Sequence, residues 1–519
     1  MSNDLFARYD LPPLQRIPRE HPAHAVVEEA KSVRYARELP VHFVQISAPE
    51  DFAIYLKQHI HADIRVDNHQ QHVLFHGEKI SELNRLIQQR PCDHLHIAIQ
   101  SARLFADETL FLPSFVSLDG RGAILEANAI DIAILGQEST QIELSNFIIQ
   151  SPQICGVLLL NCSHGRISNL TVQGSDDYGM ILRKHCRYLH IDHCQFRGNR
   201  RSGIMLHENT HHVHISHCEV TGIHHSSNWA AGIVITMLES VSDLRTQDAF
   251  EPNYFYPNNL DFKIHAVPYR NIIECCHIHH NQSSGIYVDG GNGNILIGNH
   301  IAHNDKEGIC LDFYAAANVV LYNAVFGNGY RQQQSDHDLA VDFVLEYGRL
   351  ADHSAAAKLP NISLDNAAYN MILKNTIAEA AGDGIKIVRA GFRNIIGLNS
   401  ISDNNRGHNS RFGFSGIFLG AAGCEVPNDS SGLDRLPAIE NMLFGNHIYG
   451  MHEFGIVYDA GSLFNDTLDN FVMKQRRQPI LQLAAPNSIV GNNFEPAPPS
   501  AQVQQQARRP LANMKKWLG

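Results

Sequence analysis

From about residue 120 onward the chain alternates apolar and polar positions in short runs, and most runs open on a glycine. Gly285-Ile-Tyr-Val-Asp289 returns 23 residues later as Gly308-Ile-Cys-Leu-Asp312, and Cys276-His-Ile278 returns at the same offset as Asn299-His-Ile301. The glycine marker stands at Gly156, Gly179, Gly203, Gly232, Gly285, Gly308, Gly384, Gly416 and Gly455. A second column aligns Leu170, Cys194, Cys218, Cys276, Asn299, Asn323, Asn375, Asn399, Asn446 and Asn492. Alternation with a period of two predicts strands, and a constant offset shared by two strands predicts stacked coils. One such unit is too small to bury its own apolar face, so each must lie on its neighbours. The pattern predicts an all-β solenoid of about ten or eleven coils. Spacings longer than the bare repeat mark insertions, at residues 238–270, 328–368, 403–415 and 421–438. Within the longest gap, Asp338-Leu-Ala-Val-Asp342-Phe343 aligns with Gly308-Ile-Cys-Leu-Asp312-Phe313 and reads as one further coil.

The flanks read differently. Residues 1–90 form a cap region, Pro- and Arg-rich at first, with helical spacing over Ala48–His59 and over Ile80–Gln89. A helix across the first coil would cover the edge that otherwise invites strand addition. Strands are expected at His94–Gln100, Phe115–Leu118 and Ile124–Ala127, opening a solenoid domain over 91–495. A Pro- and Gln-rich tail, 496–519, follows.

A column of asparagines suits an inward ladder of side-chain amides bonded from coil to coil. Cysteines in the same column then read as small buried hydrophobes, so the 10 cysteines are expected as free thiols. The net charge of −12 and the lack of a basic stretch argue against a nucleic-acid partner. Met1 to Glu20 carries no apolar run, and no stretch is long and apolar enough to span a membrane. A cytoplasmic location is the simplest expectation, with export lacking such a signal as the alternative.

The Gly-Ile-x-[Val/Ile/Leu] strands and Asn-x-Ile strands, over roughly 90–495, resemble the right-handed parallel β-helix superfamily of polysaccharide-active enzymes. Gly203-Ile-Met-Leu-His207-Glu208 and Gly384-Ile-Lys-Ile-Val-Arg389 are similar to the repeat domain of alginate C5-epimerases. The resemblance implies a right-handed parallel β-helix, to which the spacing in residues 1–90 adds an N-terminal α/β cap. It also implies a poly- or oligosaccharide substrate lying along the helix.

Side chains alternate across a strand, so if the residues one and three after each glycine point inward, those two and four after it point out. At the fourth position the coils read Leu160, Arg183, His207, Thr236, Asp289, Asp312, the aligned Asp342, Val388, Gly420 and Asp459. Three aspartates therefore stack at the strand spacing of ~4.8 Å. Three such charges repel, so one should keep its proton near neutrality or a cation should neutralise them. A protonated carboxyl beside an ionised one is the acid and base of glycosidic cleavage. Asp312, with a like charge on both sides, is the expected acid; Asp289 or Asp342 is then the nucleophile or base. Alternatively the aspartates hold Ca²⁺ against a uronate carboxylate, with Lys306 or Lys386 removing a sugar proton. The plainer reading is a solvated acidic stack. Arg183, His207, Glu208, Tyr287, Lys306, Glu307, His337, Lys386 and Arg389 line the same face as candidate substrate contacts, and Trp229 could stack on a sugar ring. His190/His214 and His193/His217 repeat at one coil's spacing and read as stacked surface pairs, with no metal ligand set assigned.

Three function classes follow. The first is hydrolysis or transglycosylation by the aspartate column. The second is a lyase or C5-epimerase acting on a uronate polymer. The third is a non-catalytic β-helix that binds glycan or builds a surface. A second copy of the chain is admitted as a partner.

Overall fold

The computed structural model describes residues 71–88, 94–225, 230–236, 267–312, 315–330, 359–388, 391–405, 415–420, 438–450, 452–459, 462–483 and 487–494. They form a right-handed parallel β-helix. One face is a 13-stranded parallel sheet, the front sheet, with one strand per coil. The opposite face is a 27-stranded sheet, the back sheet, made of two stacks of short strands. Long strands of the early coils join these stacks. Val116–Glu126 pairs with Glu143–Gln150 across a register shift between Asp119 and Ala123, so one strand spans the two segments expected separately. The coil count exceeds the expected ten or eleven. The first coils, carrying Leu110–Phe111 and Ile132–Gln137, lack an opening glycine and so escaped the marker.

The back sheet begins inside the stretch assigned to a cap, at Gln71–Phe75, which pairs with Leu95–Ile99. A helix follows at Ile80–Gln88, where the spacing placed one. Ile80, Leu83 and Ile87 are buried and continuous with the solenoid core. Asn84 closes the joint, donating from Nδ2 to Thr109 O (2.8 Å) and accepting from Phe111 N (3.0 Å). The expected helix over Ala48–His59 lies outside the described residues. Among the described residues no helix is long and apolar enough to cross a membrane.

The interior follows from the alternation. Ile286 and Val288 stack on Ile309 and Leu311, then on Ile362 and Leu364, then on Ile385 and Ile387, all without solvent exposure. Burying each such side chain contributes about 1.5–3 kcal/mol. The glycine marker has a steric cause. A Cβ on Gly308 would lie 2.4 Å from Val325 Cγ1 and 2.7 Å from Asn328 Nδ2.

The asparagine column is the ladder expected. Asn299 donates from Nδ2 to Asn323 Oδ1 (2.9 Å) and to Ile273 O (2.9 Å), while its backbone N–H donates to the same Oδ1 (2.9 Å). The bond is repeated along Asn323, Asn375, Asn399, Asn446, Asn470 and Asn492. Cys276 starts the run, its N–H donating to Asn299 Oδ1. Two more ladders went unread in the sequence. One climbs from Asn271 through Asn294, Asn318, Asn370, Asn394, Asn441 and Asn465 to Asn487. The other climbs from Asn281 through Asn304, Asn328, Asn361 and Asn404 to His452. The eight cysteines among the described residues are free, and all but Cys275 are buried.

Candidate functional site

The outward positions of the front sheet form two parallel columns on successive coils. The inner one runs Ile181, Met205, Val234, Tyr287, Cys310, Ser363, Lys386 and Phe418. It is apolar through Cys310, with Ser363 and Lys386 as its polar members before Phe418. The outer one contains His207, Thr236, Asp289 and Asp312 as register partners, with Arg183 one coil before and Asp365, the partner of Val388, one coil after.

Asp289 and Asp312 thus stand opposite each other on adjacent strands, as the register of the repeats required. The third place belongs to Asp365. The strand pairing with Ile309–Asp312 is Ile362–Asp365, so the alignment through Asp338–Phe343 chose the wrong segment for the next coil. Asp342 itself, together with Trp229, His337 and Arg389, lies outside the described residues.

The column is not a solvated stack. Asp289 is fully buried, and Asp312 and Asp365 are each 8% exposed. Asp289 Oδ2 accepts from Thr236 Oγ1 (2.9 Å). Asp312 Oδ2 accepts from the Tyr287 hydroxyl (2.9 Å). Burial, then the charges of Asp312 and Asp289, push the Tyr287 phenol far above its ordinary range, so it remains a donor.

Further up the column, His207 is buried, and neither ring nitrogen has a hydrogen-bond partner. Burial, reinforced by Arg183, lowers its pKa to about 4, so the imidazole is neutral at pH 7. Arg183 forms an ion pair with Glu208 at 2.8 Å. Burial alone would raise the Glu208 carboxyl, but the Arg183 bond and the surrounding charges hold it below its ordinary value.

Lys306 and Glu307 are buried where the chain enters the Asp312 strand, and Ser284 Oγ donates to Glu307 Oε2 (3.0 Å). Glu307 lies five residues before Asp312, about 16 Å away along an extended strand. It therefore flanks the face without joining the aspartates. Asp383 holds the same flank one position before the Gly384 strand. Burial raises its pKa, although Ser415 donates to its Oδ1 from both N–H (2.6 Å) and Oγ (2.8 Å). Lys386 is partly exposed in the inner column, on the same strand as Val388, which pairs with Asp365.

On the back sheet, His190 and His214 stack at 4.7 Å and His193 and His217 at 4.8 Å, as the repeat implied. Spacing alone did not reveal the carboxylates beside them. Among the described residues, two groups bring three ligand atoms within 4.8 Å of one another: Asp192 with His193 and His217, and Glu219 with His277 and His279.

The chain belongs to the right handed beta helix region family, whose pattern matches residues 128–260 and 258–431. No curated protein matches the chain. Among solved structures it is similar to the A-module of a mannuronan C-5 epimerase of Azotobacter vinelandii, at 11% identity and TM-score 0.48, covering 81% of this chain and 95% of that one. A tailspike protein of bacteriophage CBA120 aligns at 7% identity and TM-score 0.48, over 83% of this chain and 61% of that one. The catalytic unit of a thermostable alpha-1,3-glucanase from Streptomyces thermodiastaticus aligns at 9% identity and TM-score 0.43, over 82% and 70%.

Proposed function

We propose that the chain is a carbohydrate-active enzyme that binds a poly- or oligosaccharide along the front sheet and cleaves its glycosidic bonds at the aspartate column. The observation that supports this reading is the stacking of Asp289, Asp312 and Asp365 on consecutive coils, facing away from the core and buried. Carboxylates placed only for solubility would be hydrated, since burying them in register is unfavourable without a compensating use. Adjacent strands separate them by ~4.8 Å, close to the ~5–5.5 Å between the two carboxyls of retaining glycosidases. Asp312, with a carboxylate neighbour on each side, is the acid that protonates the leaving oxygen. Asp289 or Asp365 attacks the anomeric carbon, and water then releases the sugar with Asp312 acting as base. The Tyr287 hydroxyl orients Asp312 through its Oδ2.

A second reading is a lyase or C5-epimerase acting on a uronate polymer, and His207 favours it. A neutral buried imidazole beside the Arg183 guanidinium suits a site where a cation meets a uronate carboxylate and a base takes the adjacent sugar proton. Asp289, Asp312 and Asp365 are the oxygen donors that a Ca²⁺ would take in that case.

The test is digestion of a polysaccharide panel with and without EDTA, by wild type and Asp312→Asn. New reducing ends without ultraviolet absorbance, lost in Asp312→Asn while its melting temperature is kept, are expected. An absorbing unsaturated product would move the assignment to the lyase, and isomerised uronate without cleavage to the epimerase. Binding without turnover, unaffected by Asp312→Asn, would leave a non-catalytic glycan-binding β-helix.

A further inference from the structure

The columns of the front sheet do not use the histidines of the back sheet. Glu219 lies in the strand Glu219–Thr221, and the next coil supplies His277–His279. Glu219 is the register partner of His277, and Thr221 of His279. His277 and His279 are two apart on one strand, so both rings leave the same face. Their ring centroids are 4.0 Å apart. The carboxylate meets them from the neighbouring coil, and the three ligand atoms lie within 4.8 Å of one another.

The finer geometry supports a metal. With metal–nitrogen and metal–oxygen bonds of ~2.0–2.1 Å, the edge of a tetrahedron is about 3.4 Å. His279 Nε2 and Glu219 Oε1 are 3.4 Å apart, a long hydrogen bond but the length of such an edge. The other atom of each group is already engaged. Arg197 donates to Glu219 Oε2 (2.7 Å). His279 Nδ1 faces Thr221 Oγ1 (3.3 Å) and His280 Nδ1 (2.8 Å). Outer partners of this kind fix the orientation of metal ligands. His300, the next register partner of His277, has its ring 4.7 Å away and stands where a fourth ligand would come from. The site opens to solvent, with the Glu219 side chain 29% exposed and His277 exposed.

The neighbouring group differs. Asp192 Oδ1 accepts from Ser216 Oγ (2.7 Å) and faces His217 Nδ1 (3.2 Å), while Oδ2 faces His193 Nδ1 (2.8 Å) and Arg166 (3.5 Å). Both oxygens are satisfied by protein donors, and nothing is left for an ion to do.

We infer that Glu219, His277 and His279 form a binding site for a divalent first-row transition metal ion. Two imidazoles and one carboxylate suit zinc, nickel, copper or iron(II); calcium and magnesium prefer oxygen alone. Glu219 and His279 are 60 residues apart, and residues 237–266 fall between them. The ion would clamp the coil before that segment to the coil after it, closing a long loop of the unfolded chain.

The test is titration of chelator-stripped, full-length protein with Co²⁺, followed by its visible d–d absorption, and with Zn²⁺, followed by calorimetry and melting temperature. One equivalent of micromolar affinity is expected, with a melting temperature that rises on Zn²⁺ saturation. His277→Ala and His279→Ala should each weaken binding about a hundredfold and Glu219→Gln about tenfold, while His217→Ala leaves it unchanged. Because His277 is at the surface, its variant should fold, and the melting temperature of the stripped protein verifies this. Co²⁺ bands that persist in the His277→Ala/His279→Ala double variant would overturn the assignment. So would bands lost in His217→Ala, or a melting temperature indifferent to Zn²⁺.

Discussion

Asp312 gains its proposed role from neighbours on both adjacent coils, and Tyr287 is the neighbour most open to test. Its hydroxyl donates to Asp312 Oδ2 at 2.9 Å, and its ring is packed in an outer apolar cluster with Val234, Met205 and Cys310. Tyr287→Phe keeps the ring and removes only the donor. Asp312 becomes charged as it gives up its proton in the transition state, where a hydrogen bond to a charged group contributes about 1.5–3 kcal/mol, so kcat should fall about ten- to hundredfold, with KM and melting temperature little changed. Unchanged kcat would mean that the phenol only fills space. The sequence displayed this site in part. The register of Asp289 and Asp312 was legible because both repeats keep their glycine and their spacing. Asp365 was legible too, since Ile362-Ser-Leu-Asp365 repeats the pattern of Ile309-Cys-Leu-Asp312. Neither Asn361 nor Asp338 supplies the glycine of the marker, and Asp342-Phe343 reproduces the ending of Asp312-Phe313 that Asp365-Asn366 lacks. The pairing of Tyr287 with Asp312, and of Thr236 with Asp289, depends on side-chain reach between coils, which no spacing encodes.

At the scale of elements, the repeat was visible and its turns were not. Along the first ladder, short back-sheet strands are followed by a residue with positive φ directly before the ladder position, which is Cys276 or an asparagine. Cys275 (φ 51°), Tyr322 (φ 55°), Lys374 (φ 53°) and Leu398 (φ 58°) hold this place with side chains of unrelated kinds. The identity of the left-handed residue does not fix the turn, and the same conformation precedes Leu170, Cys194 and Cys218, where no amide stands. One column was found because it begins with cysteines and continues regularly. The other two ladders were hidden by their nearness to loops, and the last by Asn361 crossing from one coil position to another. Asn323 lies mid-ladder. Its Oδ1 accepts two bonds from Asn299, and its Nδ2 donates to Leu296 O (2.8 Å) and Asn375 Oδ1 (3.0 Å). Asn323→Ala leaves buried groups on both adjacent coils unsatisfied, each costing about 1–3 kcal/mol. A loss of at least ~3 kcal/mol in denaturant unfolding is expected. A loss below 1 kcal/mol would mean that water or a shifted turn replaces the amide.

Over the whole molecule, stability is a sum of coil-to-coil interfaces, so one protonation inside a ladder is felt by the stack. The third ladder ends on such a group. His452 is fully buried, and its Nε2 faces Asn404 Nδ2 (3.1 Å) and Asn404 N (3.4 Å). That nitrogen must accept, so the ring is neutral, and burial lowers its pKa to about 3. His207, on the front sheet, is lowered to about 4, also by burial first. Both folded-state values lie below the unfolded value near 6.5, so the unfolded chain binds more protons. Their contribution is complete above pH 6.5 and is lost as pH falls below it, levelling only near the folded values. Within that window each fully buried group contributes a slope of about 1.4 kcal/mol per pH unit. His190 and His211 are also lowered to about 4 by burial, but their partial exposure makes their share smaller. The carboxylates held low by partners, Glu208, Glu219 and Glu274, add their own loss only at more acid pH, as they protonate below their ordinary value of 4.5. Unfolding free energy should therefore be nearly flat from pH 8 to 7 and fall steeply from pH 6.5 to 5. His452→Asn, which restores an amide to the ladder, should reduce that slope by about one group's share, ~1.4 kcal/mol per pH unit. Denaturant titrations of wild type and variant at pH 7.5, 6.0 and 5.0 measure it. Parallel slopes in the two proteins would show that His452 is not the group taking up the proton.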